Sequence, residues 1–166
     1  MFWNDLLTSV SLAGSGIQAG ALLMVLLGVC PTLRALPVPD WIRLHVALDR
    51  SIERYMPALN VATSLATLVL VFLPQDGPAR WVRVAALCCN SALALMSELV
   101  NVRINKSLKT VAADMPATGG APGPDTPLDE ERLSAVRERW IHGHAWRTVV
   151  ITAGFLLYIL AAVPLG

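Results

Sequence analysis

The residues best suited to chemistry are two histidines and a glutamate that lie in three separate parts of the chain: His45, Glu98 and His144. Two imidazoles and one carboxylate form a ligand set that suits non-haem iron and other transition metals, so iron or copper is a candidate cofactor. The same histidines suit a metal-free acid–base site, because an imidazole removes protons near neutral pH. Both interpretations stay open at this point, since no short metal motif such as His-x-x-x-His is present.

Polar residues form a stripe along the apolar stretch around Glu98. On a helix with about 100° between residues, the side chains within one arc are Asn90, Ser97, Glu98, Asn101 and Asn105. Polar groups inside a membrane helix cost free energy, and a carboxylate there needs a cation or a metal as its partner. We predict that Asn101 and Asn105 polarise a substrate carbonyl, whereas hydrogen bonding between helices is the simpler interpretation for Asn90 and Ser97.

A second polar face lies near the end of the chain, where His144 shares one helical face with Arg147 and Tyr158. Arg147 is suited to hold an anionic group such as a phenolate, because a guanidinium keeps its charge and donates several hydrogen bonds. The predicted catalytic residues are therefore His45, Asn101, Asn105, His144 and Arg147, and the predicted metal ligands are His45, Glu98 and His144.

The elements that position these side chains are membrane helices. The chain has 166 residues, of which 55% are hydrophobic and only 15% are charged, against roughly 25% charged in soluble domains. A helix that crosses a bilayer needs roughly 20 apolar residues, and four stretches meet this need, at about 6–29, 57–74, 81–101 and 145–163. Because no stretch shows a polar outer face, we predict an all-α, integral membrane four-helix bundle over a soluble one, with residues 1–166 as a single domain.

The segments between the spans differ in character. Residues 40–56 predict an amphipathic helix, with apolar residues and His45 on one side and arginines on the other. Residues 114–127 are rich in proline and glycine, so we predict a flexible linker there. A helix is expected to restart at Leu128, capped by Thr126 or Asp125.

The distribution of Lys and Arg predicts the orientation. Eleven of the thirteen cations lie in or beside segments 30–56 and 102–144, and short loops rich in cations stay in the cytoplasm. We therefore expect a multi-pass protein of the cell inner membrane with both termini outside. The chain shows no nucleic-acid signature, and without a Cys-x-x-Cys motif its three cysteines predict packing, not redox chemistry.

Three runs of residues carry a recognisable pattern: HVALDRSIERYMP (45–57), NVRINK (101–106) and RWIHGHAWRT (139–148). In order and spacing they resemble the anthrone oxygenase-like family of small four-helix membrane proteins. In that family the second run tends to read Asn-x-Pro-x-Asn, and the third resembles Arg-x-x-Trp-x-x-x-His-x-x-Arg. Arg103 stands where proline is common, which is a small departure.

The resemblance implies an oxygenase that turns the methylene of an anthrone into a quinone carbonyl with O₂, in an aromatic polyketide pathway. It also assigns functional roles to Arg139 and Trp140. The predicted substrate-binding residues are Arg54, Arg139, Trp140 and Tyr158. The expected partners are the lipid bilayer, a lipophilic substrate and O₂, with no nucleic acid, and association into a homo-oligomer stays open.

Two other function classes compete with the enzyme. A non-catalytic accessory or scaffold subunit would use the polar stripe for assembly. A small transporter would need a continuous polar path, whereas the second span offers only Thr63, Ser64 and Thr67. A flat apolar substrate would instead partition into the bilayer and reach a polar site between helices, so the enzyme is favoured.

Overall fold

The computed structural model describes residues 2–74, 77–115 and 128–163, and every regular element in them is helical. The predicted linker at 114–127 lies, from residue 116 onward, outside the described residues. The five helices are α1 (Phe2–Ala35), α2 (Val38–Ile52), α3 (Met56–Phe72), α4 (Gly77–Ala113) and α5 (Glu130–Ala162). This architecture confirms the predicted all-α membrane bundle.

Three of the helices, α1, α4 and α5, are long and apolar enough to cross a membrane. Helix α3 passes the same test together with α2, from which it is bent by 41°, so there are up to four spans. Large apolar side chains cover the outer surface, for example Ile17, Leu27, Leu65, Phe72 and Leu156. A surface of this kind is typical of a protein that faces lipid.

The spans pack in a ring, in which α1 and α4 each contact both α3 and α5. Glycines allow the backbones to approach closely. A Cβ atom at Gly14 on α1 would collide with the side chain of Thr63 on α3, and one at Gly154 on α5 would lie 2.9 Å from the Cβ atom of Cys89 on α4. The bundle therefore depends on small residues at these crossings.

The long helices extend beyond the bilayer. Helices α1, α4 and α5 have 34, 37 and 33 residues, which corresponds to about 50 Å each at a rise of 1.5 Å per residue, whereas the hydrocarbon core is about 30 Å thick. Their surplus turns pack with α2 into a second apolar core, which we call the interfacial layer. Its buried residues are Cys30, Leu33, Val38, Trp41, Ile42, Val46, Leu108, Trp140 and Ile141.

Helix α2 is amphipathic, as expected. It starts with Pro39 in its first turn and buries Trp41, Ile42, His45 and Val46, packing against the last turns of α4. Helix α5 begins at Glu130, and its N-cap is Asp129, whose carboxylate accepts a hydrogen bond from the backbone N–H of Arg132 at 3.0 Å. The predicted caps, Thr126 and Asp125, were wrong because the helix starts two residues later.

Two helices contain a π-helical turn where they enter the interfacial layer, α1 at Val25–Val29 and α4 at Ser97–Val102. Such turns hold one extra residue, change the direction of the side chains that follow, and are frequent at functional sites. The π-helical turn of α4 contains Ser97 and Asn101.

Candidate functional site

The candidate site lies in the interfacial layer, where α2, α4 and α5 meet. His45 of α2 is 3% exposed, and its Nε2 lies 3.1 Å from Oδ1 of Asn105 on α4. The same oxygen accepts a hydrogen bond from Nε1 of Trp140 on α5 at 2.9 Å. Asn105 therefore joins three helices, and its amide nitrogen donates to the carboxylate of Asp49.

This arrangement determines the tautomer of His45. The amide nitrogen of Asn105 must face the carboxylate of Asp49, because a carboxylate only accepts hydrogen bonds. The oxygen of Asn105 then faces Nε2 of His45, so Nε2 carries the proton. Nδ1 keeps its lone pair, and it makes no hydrogen bond to any residue that the structure describes.

Burial lowers the pKa of His45 below its ordinary value of 6.5, although the hydrogen bond to Asn105 and the charge of Asp49 act in the opposite direction. The nearby cation of Lys109 lowers the pKa further. Lys109 also forms ion pairs with Asp49 and Glu53 at the rim of the site. His45 is therefore a neutral imidazole near pH 7 with one basic nitrogen available.

His144 is 4% exposed, and it is bound differently from His45. Its Nε2 lies 2.9 Å from the carbonyl oxygen of Leu22 on α1, to which it donates. Its Nδ1 accepts a hydrogen bond from an Nη2–H of Arg147 at 2.9 Å. Both ring nitrogens are therefore occupied, and His144 holds the guanidinium of Arg147 in place.

Arg147 also donates from Nη1 to the hydroxyl of Ser97 on α4 at 3.1 Å. Its Nε is buried without a hydrogen-bond partner, and among the described residues no carboxylate forms a salt bridge with it. The charge of Asp49 acts on Arg147 only without direct contact. A buried cation that lacks a paired carboxylate is costly, so this position suits an anion.

Trp140 lies between the two histidines. Its ring stacks on that of His144 with 5.2 Å between centroids and meets that of His45 edge-on at 4.6 Å. Trp140, to which the family resemblance assigns a role, thus contacts both histidines. One face of α5 carries the indole of Trp140, His144 and Arg147 on successive turns.

Asn101 is 2% exposed and lies beside the same face of α5. Its Nδ2 donates to the backbone carbonyl of Trp140 at 3.2 Å, and its Oδ1 is buried without a partner. A Cβ atom at Gly143 would lie 3.0 Å from that oxygen. The free atom of Asn101 is therefore an acceptor, which differs from the donor expected to polarise a carbonyl.

The residues do not fit the iron or copper site predicted from His45, Glu98 and His144. In the part of the chain that the structure describes, no group of three His, Cys, Asp or Glu side chains could hold a metal ion. Glu98 is exposed, and His144 has no free nitrogen. Helical spacing put Glu98 at the edge of the polar stripe, and packing turns it outward, so the ligands are not brought together.

Three predicted substrate-binding residues differ in position from the buried side chains of this site. Arg54 and Arg139 are exposed, and Arg139 directly precedes Trp140 in the chain. Tyr158 is 4% exposed, and Thr67 donates a hydrogen bond to its hydroxyl at 2.9 Å. Because Tyr158 follows His144 by fourteen residues, it lies about 21 Å further along α5. A shared helical face therefore did not mean a shared site.

Sequence reasoning gave no role to a polar network in the middle of the bundle. There the carboxamide of Gln18 bonds to those of Asn60 and Asn90. Asn60 and Asn90 each donate to the backbone carbonyl of the other, and Asn90 also donates to Ser64. A buried polar residue in an otherwise apolar span, such as Gln18, was the signal. Asn90 thus belongs to this network and not to the site, as its simpler interpretation suggested.

Sequence reasoning assigned the role to Arg139 and none to Arg137, although the spacing of the Arg-x-x-Trp pattern to Trp140 fits Arg137. Its Nη1 donates to the carbonyls of Leu33 and Leu36 at 3.1 and 2.9 Å, and the guanidinium lies 5.7 Å from the ring of Trp41. It caps the carboxyl end of α1, where a cation is favourable. Arg137 thereby fixes the turn from which α2 and His45 start.

The stretch that contains these residues matches a known family. Residues 40–157 match the family described as Anthrone oxygenase, a range that exceeds half of the chain and includes His45, Asn101, Asn105, Trp140 and Arg147. No curated protein and no solved structure matches the chain.

Proposed function

The chain belongs to the anthrone oxygenase family, and on that basis we propose that it is a membrane-embedded oxygenase that oxidises a lipophilic, anthrone-like aromatic substrate with O₂. The observation that carries this proposal is a neutral imidazole with one free nitrogen, His45, on the opposite side of Trp140 from His144, which holds a buried guanidinium, Arg147, that forms no salt bridge among the described residues. Together they suit a reaction that turns a neutral C–H acid into an anion.

The first step is removal of a proton. Nδ1 of His45 takes a proton from the methylene group between the two aromatic rings, and the electron pair moves through the ring system to the ketone oxygen. Arg147 faces this oxygen and stabilises its negative charge, which is larger in the transition state than in the substrate. Asn105 and Asp49 stabilise the imidazolium that forms.

The second step uses O₂ as the oxidant. The electron-rich anion is oxidised as its former methylene carbon forms a bond to oxygen, and the imidazolium of His45 returns its proton to give a hydroperoxide. Loss of the second C–H proton and cleavage of the O–O bond then release water and leave a carbonyl. One O₂ is consumed, one oxygen atom enters the product, and the other leaves as water.

The position of the site suits a substrate that dissolves in lipid. His45 lies on α2 in the interfacial layer, and Arg147 lies on α5 where that helix passes from the bilayer into the same layer. A flat apolar molecule dissolved in the lipid therefore approaches the polar groups without crossing water. With the cation-rich segments in the cytoplasm, the protein would lie in the cell inner membrane with the site at its inner surface.

The proposal is tested with purified protein in lipid nanodiscs, anthrone and ¹⁸O₂. We expect stoichiometric O₂ uptake and one ¹⁸O atom in the quinone, at rates well above those of empty nanodiscs. Absence of both, together with a protein partner that co-purifies in stoichiometric amounts, would instead favour a non-catalytic accessory subunit.

A further inference from the structure

Two buried polar atoms on the facing helices α4 and α5 lack a hydrogen-bond partner among the described residues, Oδ1 of Asn101 and Nε of Arg147. Burial of an unpaired polar group costs about 1–3 kcal/mol, and most such groups in folded proteins are paired. The two atoms need opposite kinds of hydrogen-bond partner, because an amide oxygen accepts a hydrogen bond and a guanidinium N–H donates one.

Both atoms lie in one seam between the antiparallel helices α4 and α5. Ser97 on α4 contacts Arg147 on α5, and Asn101, one turn later on α4, contacts Gly143, one turn earlier on α5. The two positions are therefore about 6 Å apart along the helix axes. Gly143 lets α5 pack directly against the oxygen of Asn101, since a Cβ atom there would lie 3.0 Å from it.

We propose that this seam recognises two oxygen substituents of the substrate, with Arg147 Nε–H donating to the ketone oxygen and Asn101 Oδ1 accepting from a free phenolic hydroxyl. The inference rests on the proposed function and specifies its substrate class. The hydroxyl must be one that is not already bonded internally to the ketone, since its proton has to reach Asn101.

The side chain of Asn101 cannot exchange its oxygen and nitrogen positions by rotating its amide group. Its Nδ2 donates to the backbone carbonyl of Trp140, and a rotated amide would set its oxygen against that carbonyl. A methoxy group in place of the hydroxyl has similar electronic effects but no proton to donate. It would leave Asn101 Oδ1 unpaired, so a site built for the hydroxyl discriminates against it.

The experiment compares a hydroxyanthrone with the matching methoxyanthrone, using wild-type protein and Asn101→Leu. In the wild type we expect the hydroxy compound to have a kcat/KM at least about 10-fold higher. In Asn101→Leu we expect this ratio to fall to about 1. A merely structural role of Asn101 would lower both rates and leave the ratio unchanged.

Binding of the corresponding quinones, followed by quenching of tryptophan fluorescence, gives the same ratio without turnover. If Asn101→Leu does not fold, Gly143→Ala serves as the second variant, since its methyl group displaces the oxygen of Asn101. A wild-type ratio near 1, as expected if the atoms hold only water, overturns the inference, and so does a ratio that survives in both variants. Quinone binding with the expected ratio but no O₂ uptake would defeat the oxygenase proposal alone.

Discussion

The two buried histidines have different chemistry because their ring nitrogens have different partners. Asn105 fixes the proton of His45 on Nε2 and leaves Nδ1 free. Both ring nitrogens of His144 form hydrogen bonds, one with the carbonyl of Leu22 and one with the guanidinium of Arg147. We infer that His45 is the base and that His144 is a positioning residue for Arg147.

Glutamine is expected to replace His144 but not His45. In His144→Gln the amide can donate to Leu22 and accept from Arg147, so kcat/KM should stay within about 3-fold of the wild type, whereas His144→Ala should lose about 10–100-fold. Most of that loss should be in KM, because Arg147 is no longer held. Steady-state kinetics decide this, and an equal, complete loss in both variants would make His144 catalytic.

Acid should affect both activity and stability through His45. Since burial lowers its pKa below 6.5, the unfolded chain binds the proton more readily, so stability is full above pH 6.5 and is lost as the pH falls through the folded value. We expect kcat/KM to stay constant from about pH 8 to 6.5 and to fall only below that. Activity that already declines on going from pH 8 to pH 7 would contradict a neutral, buried base.

At the scale of the helices, the number and type of elements could be predicted because long apolar runs and cation placement follow directly from bilayer physics. The directions in which the side chains point could not be predicted in this way. A constant helical repeat grouped Asn90, Glu98 and Asn101, whereas the structure sends them into the central network, outward, and into the site. The π turn at Ser97–Val102 and the packing against α5 cause the difference.

Two glycines on α1 provide a matched test of helix packing. Gly14→Ala places a methyl group against Thr63, whereas Gly20→Ala meets nothing within 4 Å. We expect Gly14→Ala to lower the free energy of unfolding by about 1–3 kcal/mol and Gly20→Ala to leave it unchanged or raise it by up to about 1 kcal/mol. Thermal unfolding in nanodiscs measures this, and equal effects would refute the close α1–α3 approach.

At the scale of the molecule, the sequence predicted a membrane protein with a site at one end, and it identified Asn105, His144 and Arg147 from spacing and resemblance. It predicted the amphipathic helix at 40–56 and a helix from Leu128, but not that the first and third spans continue as helix to Ala35 and Ala113. It also did not predict that these ends pack with α2 into a second core. The contact of Asn105 with Asp49 spans 56 residues, which no local pattern encodes.

The predicted orientation is tested by labelling single cysteines. In a background with Cys30, Cys88 and Cys89 replaced by Ala, Asp5→Cys and Ser51→Cys each place a thiol at an exposed position outside the predicted spans and near opposite ends of the bundle. With a membrane-impermeant maleimide on spheroplasts, we expect Asp5→Cys to react at once and Ser51→Cys only after lysis. The reverse pattern would place the site outside the cytoplasm.

The central claim, that His45 removes the methylene proton, is measured most directly without oxygen. In anaerobic D₂O the wild-type protein should exchange the methylene protons of the substrate for deuterium, because the anion forms and is reprotonated. In His45→Gln the exchange rate should fall by about 100-fold or more, toward that of empty nanodiscs. Exchange at the wild-type rate in His45→Gln would contradict the account.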